Sequence, residues 1–171
     1  MKTVIPKDFI EKINVAKLFR YGLYMLAVLI MQNILFTQLR ILGVCPLFLP
    51  AVAVAMGMFE GATWGPLFSI LLGIFADMAF VENTVFFTLI FPGLSFAAAF
   101  VANYFINRRF FAYMSAATLG LLITAGGQLL KTAASDSFAP VMVSTALLQT
   151  LWSLPFAVLA YFPPARMSRI E

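Results

Sequence analysis

The chain has 171 residues, 63% of them hydrophobic and 11% charged, with a formal net charge of +4 and a mean hydropathy of +0.98. Soluble domains carry about 25% charged residues, so water is not the main solvent of this protein. A single cysteine, Cys45, and the absence of histidine exclude an intrachain disulfide, a Cys/His metal site and histidine-based acid–base catalysis.

The elements follow in chain order. Residues 1–20 form a basic leader in which Ile5, Phe9, Ile13 and Ala16 recur at helical spacing among Lys7, Lys12, Lys17 and Arg20. Such a segment either lies on an anionic cytoplasmic surface or stays a solvated topogenic tail. The first apolar run starts at Tyr21 and no small-residue cleavage site follows it, so it reads as a retained span over 21–38. A second, short span is expected from Pro46 to Phe59, with Pro46 and Pro50 near its entry. Glu60 to Thr63 then makes a tight turn. The third span follows from Trp64 to Phe80, where Pro66 is harmless because the first helical turn has no use for its missing N–H. The fourth covers 84–106, the fifth 110–130 and the sixth 138–162, ending at Pro163 and Pro164. The expected fold is therefore an all-α membrane protein, with six transmembrane helices over 21–162 and a short basic cytoplasmic tail over 163–171.

Orientation follows from the distribution of Lys and Arg, which are retained on the cytoplasmic side. With the N-terminus inside, that side holds Lys2, Lys7, Lys12, Lys17, Arg20, Arg108, Arg109, Arg166 and Arg169, while only Arg40 and Lys131 lie outside. This bias predicts that both ends are cytoplasmic. The basic residues thus mark topology, and nucleic acid is not an expected partner.

The third span carries the most information. Gly61, Gly65, Ser69 and Gly73 recur every four positions and lead to Asp77. Ridges of small residues let helix backbones approach closely in lipid, where burial of apolar surface supplies no drive. The ridge is expected to pack either inside the bundle or against another protein. A carboxylate in the hydrocarbon needs a compensating partner, and Asp77 lies about 18 Å beyond Gly65 along a helix, in the outer half of the membrane. Gln32 and Asn33 of the first span, and Gln128 and Lys131 of the fifth, reach a comparable depth, as do Glu82 and Asn83. These residues predict an outer polar cluster holding Asp77; the plainer alternative is that Asp77 caps a helix end.

The layout and the residues Gly61, Gly65, Gly73 and Asp77, together with Gln32 and the turn from Gly43 to Pro46, resemble the MreD family of rod-shape-determining membrane proteins over nearly the whole chain. Two positions depart from the family pattern. Leu47 stands where an acid often follows the proline, and Ser69 stands where glycine is typical. The resemblance implies a non-enzymatic adaptor without cofactors, in a bacterial cytoplasmic membrane. Its implied partners are the single-span protein MreC and, through the elongation machinery that builds peptidoglycan, MreB, RodA and a class B penicillin-binding protein.

The main rival is the substrate-binding subunit of an energy-coupling-factor vitamin transporter, whose fold the MreD family is thought to share. The outer polar cluster would then be a ligand pocket. Such subunits usually carry Ala-x-x-x-Ala in the first span, and here Met31 stands four residues after Ala27. A membrane enzyme holding a metal on Asp77, Glu82 and Asp136 ranks third, since nothing fixes their geometry.

Overall fold

The computed structural model describes residues 15–36, 38–39, 43–79, 85–104, 110–135 and 140–167. Most of the leader, and with it Arg40, Glu82, Asn83, Arg108, Arg109, Asp136 and Arg169, lies outside the described residues. The elements are α1 (Val15–Ile30), continued by a π-helical turn (Met31–Phe36), α2 (Leu49–Ala79), α3 (Phe86–Tyr104), α4 (Phe110–Ser135) and α5 (Pro140–Met167). Among the described residues, five helices are long and apolar enough to cross a membrane.

Their side chains sort as lipid requires. On α1, Tyr21, Met25, Val28, Gln32 and Phe36 are buried at spacings of three and four, while Leu23, Leu26, Ile30 and Ile34 face outward. On α5 the buried positions are small, namely Ser153, Ala157 and Ala160, and the large Leu147, Leu151, Leu159 and Phe162 are exposed. Bulky apolar groups are as content in lipid as in protein, so close packing falls to small residues.

α2 departs from a single rod. It has 31 residues and breaks at Gly61, whose φ of 81° and ψ of −173° are non-helical. Only glycine enters this region without steric cost. Beyond the break the chain turns back on itself: a Cβ built on Gly65 would stand 2.6 Å from the Cα of Gly57. In a continuous helix those two residues would be about 12 Å apart. The arm over 49–59 is buried on every side, as expected of a helix that is apolar all round. The arm over 62–79 covers one of its flanks, and α3 packs on both.

Four expected boundaries shift, one of them the end of the fifth span, which continues past 130 to Ser135 in α4. α1 begins at Val15, inside the stretch expected to be leader. The second span does not become helical at Pro46; the chain stays non-helical through Phe48 and enters the helix at Leu49 and Pro50, where proline is tolerated. Pro163 and Pro164 do not end α5, which runs to Met167. Pro164 offers no N–H to the carbonyl of Ala160, and the Tyr24 hydroxyl donates to that carbonyl instead, at 3.4 Å.

Candidate functional site

Non-helical backbone at membrane depth persists only where its polar groups are satisfied by protein. The stretch before α2 meets this condition with two side chains from other helices. The Gln32 amide donates to Pro46 O at 2.9 Å and its oxygen accepts from Phe48 N–H at 3.2 Å. Ser153 Oγ accepts from Leu47 N–H at 2.8 Å while donating to Gln149 O at 2.6 Å. Phe48 O then accepts the first bonds of α2, from Ala51 at 3.0 Å and Val52 at 3.2 Å. The π-helical turn holds Gln32 in the interior, where it is 2% exposed. Gln32 thus closes the entry of the buried arm.

The small-residue ridge faces α3 of the same chain. A Cβ on Gly65 would meet Ser95 Oγ at 3.0 Å, and one on Gly73 would meet Phe87 O and Thr88 Cα, each at 2.7 Å. Ser69, between them, is fully buried. Gly61 makes no such approach and serves the chain reversal instead. The tightest contact belongs to Gly57, where an added Cβ would fall 2.0 Å from Ser95 O. Sequence reading started the ridge at Gly61, although Gly57 continues the same four-residue spacing one step earlier.

Asp77 closes the other end of the α2–α3 pair. One carboxylate oxygen accepts from Phe87 N–H at 3.0 Å; the other accepts from Thr88 N–H at 2.8 Å and from the Thr88 hydroxyl at 2.6 Å. Phe87 and Thr88 belong to the first turn of α3, whose amides have no partner within the helix. The positive end of the helix dipole favours an acid there. Asp77 is therefore an N-cap supplied from the neighbouring helix.

The residues expected to gather beneath the outer surface are divided among different places. Gln32 binds the 46–48 stretch, Asp77 binds the start of α3, and Gln128 lines a groove between α4 and α5. Asn33 and Lys131 are half-buried. At the other end of the bundle, the Tyr21 hydroxyl donates to Glu60, and Tyr21 stacks on Phe68 with ring centroids 4.7 Å apart. Tyr113 donates to Ala157 O at 2.8 Å, with a weaker approach to Ala51 O at 3.3 Å, and so joins α4 to α5 and to the buried arm.

Two surface grooves stand out among the described residues. One, of about 380 Å³, lies between α1 and the second arm of α2 and is lined by apolar residues including Leu18, Met25, Phe68 and Phe75. The other, of about 200 Å³, lies between the C-terminal half of α4 and the N-terminal half of α5 and includes Gln128, Thr132, Thr145 and Gln149. Below it a cavity of about 10 Å³, bordered by Leu47, Gln149, Thr150 and Ser153, is at the lower limit for one water molecule. Among the described residues no three acidic or cysteine side chains gather as a metal site would require.

The helices and their lipid-facing surface define a multi-pass helical membrane protein. Comparison of the chain with protein-family models, with curated proteins and with solved structures gives no match in any of the three.

Proposed function

We propose that the protein is a non-enzymatic adaptor of a bacterial cytoplasmic membrane, acting by helix-to-helix association with a single-span partner, as the likeness to the MreD family implies. On this reading it belongs to the cell-elongation machinery, with an MreC-like protein as its direct partner. The observation that carries the proposal is the use the bundle makes of its buried polar groups. Gln32, Ser153, Asp77 and Tyr113 are all spent on the chain's own backbone, so what the molecule offers to others is helix surface.

The same reading takes the chain to cross the membrane six times with both ends in the cytoplasm. The reversal at Gly61 supports it, as do the lengths on either side. The arm over 49–60 rises about 18 Å, too short alone for a hydrocarbon core of about 30 Å; the non-helical stretch over 44–48 can add up to about 16 Å. The arm over 62–79 rises about 27 Å. The bias of positive charge supports termini on the inner side.

A transporter subunit is the second reading, favoured by the polar groove between α4 and α5. Co-purification from native membranes separates the two. Recovery of a single-span coiled-coil protein is the expected result, whereas recovery of an ATPase module, or of a vitamin at one per chain, would overturn the adaptor.

A further inference from the structure

We propose that the outer groove between α4 and α5 is the seat of a partner's transmembrane helix, one carrying an asparagine, glutamine, serine or threonine at the depth of Gln128 and Gln149. The proposal rests on the adaptor reading and places the partner on a particular face.

Depth comes first. α4 is about 39 Å long and α5 about 42 Å, so each overhangs a 30 Å hydrocarbon core by about 5 Å at either end. Gln128 lies about 10 Å from the outer end of α4, and Gln149 about 13 Å from that of α5. With both helices centred on the core, the two amides sit within the hydrocarbon, on opposite walls of one groove and at nearly the same level.

Their hydrogen-bonding capacity is unspent. Neither side-chain amide bonds to another described residue; Gln128 and Gln149 take part only through their backbone carbonyls, which accept from Thr132 and Ser153. The groove's hydroxyls donate within their own helices, Thr132 to Gln128 O at 3.0 Å and Thr145 to Val141 O at 2.8 Å. An amide facing lipid has nothing to bond to, and its desolvation is costly. A side chain that both donates and accepts satisfies it.

Shape selects a helix as the carrier. Ala125 and Ala146 form part of the groove lining, and such small residues allow a backbone to approach closely. A second copy of the same groove would oppose one concavity to another and leave both unfilled. The competing surfaces offer less. The ridge from Gly65 to Gly73 is already covered by α3, and the groove beside α1 is apolar throughout, so lipid tails fill it as well as any helix does.

The test uses the full chain with Cys45→Ser and Thr145→Cys, reconstituted in phosphatidylethanolamine and phosphatidylglycerol vesicles. The probe is a leucine–alanine host helix of about 22 residues, bearing one cysteine and one asparagine at the depth of the glutamines. Disulfide formation with this helix is expected to exceed that with its leucine counterpart by about fivefold. Replacing both glutamines, Gln128→Leu with Gln149→Leu, is expected to bring the yield down to the leucine level. Each single replacement is expected to give an intermediate yield, and these carry the test if the double variant does not fold. Equal yields for the two host helices, or yields unmoved by the glutamine variants, would overturn the proposal. Disulfides between two copies of the chain in the absence of peptide would also overturn it, assigning the groove to self-association. Because the host helix replaces the native partner, failure here removes the groove and leaves the adaptor to its own co-purification test.

Discussion

Replacing Gly57 by alanine probes the packing of the whole bundle. The added methyl would stand 2.0 Å from Ser95 O, 2.6 Å from its carbonyl carbon and 2.8 Å from its Cα. Ordinary contact needs about 3.5 Å, so α3 must retreat by more than 1 Å. The obstacle is backbone, which has no rotamer to change. Retreat would also open the contacts of Gly65 and Gly73, which rest on the same helix. Overpacking costs about 1–3 kcal/mol and occasionally more, and a clash with backbone belongs at the upper end. A loss of about 3 kcal/mol shifts the unfolding equilibrium by more than a hundredfold. Reversible unfolding in mixed micelles titrated with sodium dodecyl sulfate measures it. Gly22→Ala is the control, because its Cβ meets nothing within 4 Å and alanine is the better helix former. Equal stability of the two variants would refute the packing described for Gly57.

Other substitutions test separate joints. Gly61→Ala forces a side chain into a glycine-only backbone region and is expected to cost about 1–3 kcal/mol in the same titration. Gln32→Leu leaves Phe48 N–H and Pro46 O unpaired, and at about 1–3 kcal/mol for each buried group it is expected to rank among the most destabilising changes; hydrogen exchange at Phe48 should rise with it. Asp77→Asn removes the charge that faces the α3 dipole and turns one of the two accepting oxygens into a donor, leaving Phe87 N–H or Thr88 N–H unpaired, so a loss of about 1–3 kcal/mol is expected. Asp77→Leu should cost more, since it strips the cap from Phe87 and Thr88 altogether.

Much of this architecture could be read from the residues because lipid imposes simple rules. Apolar runs gave the helices, and the four-residue spacing of Gly61, Gly65, Ser69 and Gly73 marked the helix on which others pack. The turn at Glu60 to Thr63 was legible for the same reason, a glycine between two apolar stretches. What escaped reading depends on contacts distant in sequence. For Asp77 two readings were open, a buried charge held by an amide or a lysine and a helix cap; it is a cap, but of the neighbouring α3, accepting from Phe87 N–H, Thr88 N–H and the Thr88 hydroxyl, which no residue type announces. Gln32 likewise serves the chain around Pro46, a role visible only once a non-helical stretch is seen at membrane depth. Ser153 and Gln149 passed unnoticed because isolated polar residues in an apolar helix carry no pattern.

The proposed topology depends on the reversal at Gly61, which divides the 31-residue helix into two arms; if each arm is a crossing, the total is even. The most direct measurement is the sidedness of the two ends in intact cells. On a Cys45→Ser background, cysteines introduced by Thr3→Cys and by Ser168→Cys are treated with a membrane-impermeant maleimide before and after permeabilisation. Six crossings with both ends in the cytoplasm predict that both are protected until the membrane is opened. Labelling of one end and protection of the other in intact cells would mean an odd number of crossings and would contradict the reversal.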